Sequence, residues 1–322
     1  MKIRILTLAA ALCASIGLLS CGGKSAEVGL LTPGPISDRG WNAAAYDGLI
    51  EIRDQLHVPV AHVQVKTPSE FEEQFRDFAS HGAWLVFGHG FEFQDAASRA
   101  ARAFPKTVFI TTSGSRIAPN LAPMVFELEQ ATYLCGLVAG KMTRTGSVGA
   151  VGGVEIPSVA STFLAFEAGV KAANPSARVK VVYTGSFDDA AAGRQAALAL
   201  ADQGCDFLIH NADAAGAGVF QAARERKILA FGTNKDQNSL APETVLASAV
   251  IDIPRAFLEV AREVRSGAFR PRSIRFGLRD GVISFVWNPR LSSRVPTEVT
   301  ALVEETKRRI AAGALVVPRG NF

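Results

Sequence analysis

Hydrophobic and polar positions along this chain switch repeatedly between two periods. A short apolar run at 28–31 is followed over 42–56 by apolar residues at helical spacing. The pairing recurs: a strand over 58–65 and a helix over 68–81, a strand over 84–87 and a helix over 94–104, then a strand over 108–111. A second series begins near Met124. It predicts helices over 130–142, 162–173, 190–203 and 216–226, with strands over 148–151, 179–183, 207–210 and 228–231 between and after them. Pro175 and Gly204 stand where two of these helices should stop. A strand over 245–250, a helix over 254–266, a hairpin turning at Arg279-Asp280-Gly281 and a helix over 297–312 complete the chain. Runs such as Trp84-Leu85-Val86-Phe87 are apolar at every position, as a strand covered on both faces requires. The βαβα order therefore predicts α/β architecture with parallel sheets between helical layers.

Two series of similar length imply two Rossmann-like lobes of roughly 120–150 residues, with a cleft between them. The expected division is 27–125 plus 250–288 for the first lobe and 126–249 plus 289–322 for the second. A content of 48% hydrophobic and 20% charged residues agrees with a well-cored globular chain. The formal charge is +4, of which Lys2 and Arg4 near the N-terminus supply two units. No dense Lys/Arg run suggests a nucleic-acid partner.

Residues 1–20 read as a secretory leader: Lys2 and Arg4 precede an apolar segment over 5–19 that is short for a membrane span. It ends in Leu18-Leu19-Ser20-Cys21-Gly22, which resembles a bacterial lipobox with Cys21 as the lipidated residue. More than one acyl chain anchors stably. The expectation is an extracytoplasmic protein tethered to the cell membrane, on the periplasmic side in a Gram-negative cell. Removing Cys13 with the leader and lipidating Cys21 leaves Cys135 and Cys205, both among apolar neighbours and expected as unpaired buried thiols.

In open α/β sheets, ligands bind beyond the carboxyl ends of the strands. The loop over 32–40 delivers Trp41 and Asn42 to the first turn of a helix, and a Trp there suits a flat ligand as readily as it covers the core. Asp38 suits a ligand contact or a helix cap. Beyond the third strand, Phe91 and Phe93 point opposite ways if extended, so one faces the cleft and the other packs; Phe91 is assigned to the cleft. The second lobe offers Phe187, Asp188 and Asp189, with capping open for both acids, then His210, Asp213 and Asn234. His210 reads as a hydrogen-bonded core residue, and turn chemistry alone could explain Asn234. Catalytic signatures are missing: there is no G-x-S-x-G elbow, no H-E-x-x-H, and no metal-ligand spacing among the histidines. The glycines near 146–153 do not open a helix, and Gly216-Ala217-Gly218 lacks the full dinucleotide fingerprint. No enzyme, cofactor or metal is expected.

Several segments together resemble the basic membrane protein family of substrate-binding lipoproteins for ABC importers. They are Gly34-Pro35-Ile36-Ser37-Asp38-Arg39-Gly40-Trp41-Asn42, Tyr133-Leu134-Cys135-Gly136 through Lys141-Met142-Thr143, Val151-Gly152-Gly153-Val154-Glu155-Ile156-Pro157, Phe166 to Pro175, and Gly185-Ser186-Phe187-Asp188-Asp189. The resemblance spans nearly all of the mature chain. It implies a type I periplasmic-binding-protein fold, two lobes on a three-strand hinge, and a purine base or nucleoside as ligand. The family's first-lobe aromatic and the Asn after it match Trp41 and Asn42, and its second-lobe aromatic matches Phe187. Nucleoside binders carry acids where this chain has Pro33 and Asn234, and a Lys where it has Ile251. Asp213 instead matches an acid of the branch that binds free bases. The resulting expectation is a monomeric receptor handing a purine base or related flat heterocycle to ABC permease subunits. Trp41 with Phe187 or Phe91 would enclose the ring, and Asn42, Asp213 and Asn234 would read its edges. A sensing subunit that feeds a signalling partner is the alternative, and a nucleoside-cleaving enzyme a remote one.

Overall fold

A computed structural model describes residues 25–38 and 40–320. The leader, Cys21 and Arg39 lie outside the described residues. The chain begins with β1 (Val28–Thr32), α1 (Trp41–Leu56), β2 (Val60–Gln64), α2 (Pro68–Ser80), β3 (Leu85–Gly88), α3 (Gln94–Ala103), β4 (Val108–Thr112) and β5 (Leu121–Phe126). It continues through α4 (Glu129–Met142), β6 (Ser147–Gly152), α5 (Pro157–Ala173), β7 (Arg178–Tyr183), α6 (Ala190–Asp202), β8 (Phe207–Asn211), α7 (Gly216–Arg226), β9 (Leu229–Asn234) and β10 (Val245–Ile251). Last come α8 (Ile253–Arg265), β11 (Ile274–Phe276), β12 (Ile283–Trp287) and α9 (Thr297–Ala311).

These strands form two six-stranded sheets, ordered β11-β5-β4-β3-β1-β2 and β12-β10-β9-β8-β6-β7. Every pairing is parallel except that of β12 with β10. Every residue of β1, β3 and β5 is buried, in keeping with apolar runs covered on both faces. The edge strands β2 and β7 are only half-buried and carry more polar residues. Helix starts follow local chemistry. Thr67 and Glu70 form a reciprocal capping box ahead of α2, and Asp252 accepts the Arg255 amide at the start of α8.

Three crossings join the lobes, after β5, after β10 and after β11. The returning helix α8 packs on α1, and Phe257 stacks on Phe87 of β3 with ring centroids 4.1 Å apart. Helices α4 and α5 approach so closely that a Cβ on Gly136 or Gly169 would lie 2.1 Å from a facing backbone carbonyl. Only glycine fits at that contact. Cys135 and Cys205 are buried and unpaired, and burial pushes both thiols above their usual pKa.

The structure departs from the expected elements in several places. The turn at 279–281 is present, but it makes no hairpin. β11 pairs in parallel with β5, whereas β12 pairs antiparallel with β10 in the other sheet. Residues 283–287, expected with the first lobe as part of 250–288, therefore hydrogen-bond to the second. Two short apolar runs around a turn look alike in sequence whether they pair with each other or with separate sheets. The β5 strand was hidden because Pro123, which has no ladder donor, interrupts its run. Helix α5 starts at Pro157, a turn and a half before the expected position. Proline at a helix start gives up only a donor that has no partner there.

Candidate functional site

The carboxyl ends of the two sheets face each other across a cavity of about 160 Å³. Trp41, Asn42 and Phe91 of the first lobe and Phe187, Asp213 and Asn234 of the second line it, so six of the seven expected ligand-contact residues converge. The seventh, Asp38, does not line it. Its carboxylate accepts the backbone amides of Gly40, Asn42 and Ala43 at 2.8–2.9 Å and the Asn42 side-chain amide at 2.8 Å. A side chain that accepts four donors has little left for a ligand. Asp38 instead caps α1 and holds Asn42.

That hold gives Asn42 a direction. Its Nδ2 is committed to Asp38, and its buried Oδ1 has no partner among the described residues. An acceptor fixed in this way suits a ring N–H or exocyclic amine. Trp41 is positioned from behind. The His89 ring stacks under the indole at 4.0 Å with 23° between planes, and Phe126 meets it edge-on at 5.9 Å. His89 Nε2 donates to the Trp41 carbonyl at 3.1 Å, which leaves Nδ1 to accept from the Thr112 hydroxyl at 3.3 Å. Burial drops the His89 pKa to about 3, so the platform is neutral. Phe187 rests on Gly153, where a Cβ would come within 2.2 Å of its ring. Its own carbonyl accepts the Ala215 amide at 2.9 Å.

A polar chain runs along the second lobe. Asn211 donates to Thr162 (3.2 Å), and Asn234 donates to Asn211 (3.4 Å) and to Asp213 (3.2 Å). Burial raises the Asp213 carboxyl to about 7, and the charges of Asp38 and Asp188 push the same way, against bonds from the Trp41 amide and Asn234. Ser113, Asp213 and Asn234 all line the cavity with φ between 45° and 68°. The other non-glycine residues of positive φ among the described ones, His57 and Lys227, only end helices. Strained backbone of this kind costs roughly 1–3 kcal/mol per residue and gathers at ligand sites.

The acid pair after β7 divides its roles. Asp189 caps α6 by accepting the Ala192 amide at 2.9 Å, whereas Asp188 lines the cavity. Phe91 stands in a 3₁₀ turn facing the cavity, and Phe93 is fully buried against Phe71 and Phe75. His210 donates from Nε2 to Gln237 Oε1 at 2.9 Å in the core, with its pKa dropped to about 4 by burial. Sequence reasoning missed Ser158 and Thr162 as lining residues because it began α5 too late; Pro157 was the available signal. His89 and Asn211 fall in strand-end loops that the sequence places at the cleft, but nothing local to them, or to Ser113 after β4, gives their particular role. No group of three or more potential metal ligands occurs among the described residues.

The lobes are already in contact. Lys235 Nζ meets Asp47 Oδ2 at 2.7 Å across the cleft, and a Cβ on Gly40 would lie 3.4 Å from Asp213 Oδ1. Two open α/β lobes, three crossings and a lined cavity at the strand ends define a solute-binding protein of the type I periplasmic-binding fold. The chain belongs to the family of ABC transporter substrate-binding proteins described as PnrA-like, whose Bmp model matches residues 25–314.

Relatives agree in length as well as in kind. Basic membrane protein A of Borreliella burgdorferi is 29% identical over 94% of this chain and 93% of its own. A purine-binding protein of Brucella abortus is 29% identical over 93% of this chain and 86% of its own. The crystal structure of an ABC transporter solute-binding protein from Aeropyrum pernix superimposes with a TM-score of 0.82 at 21% identity, covering 91% of this chain and 94% of that one. No helix among the described residues is long and apolar enough to cross a membrane.

Proposed function

We propose that this chain is an extracytoplasmic receptor, tethered through a lipidated Cys21, that captures a purine base or a closely related flat heterocycle and delivers it to an ABC permease. Trp41 encloses the ring with Phe187 of the opposite lobe or with Phe91 of its own. Asn42, Asp213 and Asn234 read its polar edge, and hinge closure grips it from both sides. The observation that carries the choice of base over nucleoside is the pair Pro33 and Ile251. Both line the cavity, and neither offers a polar atom from its side chain to a ribose hydroxyl. The Brucella relative, named as a purine-binding protein, supports the same ligand class.

A thermal-shift panel of adenine, guanine, hypoxanthine and their nucleosides tests this reading. A ligand at one hundred times its Kd adds about 2.7 kcal/mol to stability. Stabilisation by at least one free base is expected; stabilisation by nucleosides alone overturns the assignment. The anchor is tested separately by detergent-phase partition of the full-length chain expressed in a bacterium. Cys21→Ala should move it to the aqueous phase, and unchanged partition refutes the tether.

A further inference from the structure

We propose that Glu92 sets the ligand choice of the cleft, an inference that rests on the purine reading above and narrows it. The residue selects a ring that carries an exocyclic amino group over the same ring with hydrogen or a carbonyl oxygen at that carbon.

Three acids line the cavity, Glu92, Asp188 and Asp213, and no Lys, Arg or His lines it among the described residues. A ligand there meets charged acceptors but only neutral donors. The acids are unequally engaged. Asp213 takes the Asn234 side-chain amide at 3.2 Å and the backbone amide of Trp41. Asp188 lies near enough to Asp213 for their charges to repel. Glu92 comes from the first lobe, and its carboxyl takes a hydrogen bond from its own backbone amide. It is an exposed residue on the cavity wall, not one sealed in the core. The surrounding walls still strip water from its carboxyl and raise its pKa. A partly desolvated acid is stabilised by donors that a ligand brings, and charge-assisted bonds are roughly twice as strong as neutral ones.

The local fold holds this carboxyl in place. Glu92 sits in the 3₁₀ turn Phe91–Phe93, whose last amide donates to the Gly90 carbonyl at 3.4 Å. The Phe93 ring, fully buried against Phe71 and Phe75, pins the turn. The Glu92 side chain folds back over Gly90, where a Cβ would lie 2.7 Å from its carboxyl carbon and 2.9 Å from Oε1. Gly90 has φ 161° and ψ 156°, extended backbone that any residue adopts, so the glycine serves space and not conformation.

An ionised carboxyl accepts hydrogen bonds and donates none. An amino group gives it an N–H, a ring hydrogen gives it nothing, and a carbonyl sets lone pairs against its charge. Guanine, hypoxanthine and xanthine carry amino, hydrogen and oxo at one ring carbon; adenine, purine and hypoxanthine carry the same three at another. Calorimetric titration of both series into the mature chain tests the proposal. In one series affinity should fall in the order amino, hydrogen, oxo, with about tenfold or more between the first two, the loss of one charge-assisted bond. Glu92→Gln keeps the shape but exchanges an acceptor for a donor, and should cut that step to about threefold or less. Gly90→Ala leaves Glu92 in the chain but displaces its carboxyl, and should flatten the series likewise. Melting curves identify a variant that fails to fold, and the other then decides. Binding with no amino preference in either series overturns this proposal and leaves the purine reading standing. So does a preference that persists undiminished in a folded variant. Failure of every base to bind overturns both.

Discussion

Asp213→Asn separates the cost of building the site from its use. The substitution keeps the shape of the side chain and its Oδ1 acceptor for Asn234 but removes the charge. The carboxyl stands at about 7 instead of 3.8 because it is buried and faces Asp38 and Asp188. A raised acid favours the folded state while protonated and loses that advantage as pH climbs from about 4 through about 7. A difference of this size is worth roughly 4 kcal/mol above pH 7, at about 1.4 kcal/mol per pH unit. Parting of the lobes would rehydrate the group, so about half of that, ~2 kcal/mol, is the expected net effect. Unliganded wild type should therefore melt a few degrees below the variant at pH 8, and the two should converge near pH 4. Binding should move the other way. At pH 8 the variant loses the charge-assisted contact to the ring edge, about tenfold in affinity. Wild-type affinity should fall below pH 7 while the variant stays flat. Melting scans and calorimetry across this range provide both readouts. A variant less stable than wild type at pH 8, or a stability difference that ignores pH, would refute the argument.

The remaining tests address one contact each. Trp41→Ala removes the aromatic platform and should weaken purine binding by about ten- to a hundredfold, since base stacking is worth roughly 1–3 kcal/mol; unchanged affinity by calorimetry rules out the enclosed-ring geometry. Gly153→Ala would put a methyl 2.2 Å from the Phe187 ring and displace it. Affinity should drop while the melting temperature barely moves, and the opposite pattern counts against Phe187 as a ligand contact. Asp38→Ala removes the cap of α1 and frees the Asn42 amide. It should cost about 1–2 kcal/mol in denaturant unfolding and also weaken binding, although Asp38 does not line the cavity.

Much of the molecule is legible in local pattern. Apolar runs covered on both faces, helical spacing and stop residues are properties of a few neighbouring residues, so the sequence alone determined the two α/β series and their order. It also placed Trp41, Asn42, Phe91, Phe187, Asp213 and Asn234 at strand ends, because the strand-to-helix order dictates which loops meet at the cleft. What it left open were choices between equally good local roles. Asp38 could cap or bind, and only the positions of four donors around its carboxylate assign it to capping. Asp188 and Asp189 are adjacent and chemically alike, yet only Asp189 reaches an amide of α6. The turn at 279–281 fits a hairpin or a crossing, and pairing with strands far away in sequence decided for the crossing. His89 under the indole acquires its character from burial, which depends on the whole packed fold. Sequence determines what each residue can do; the tertiary structure decides which of its partners arrive.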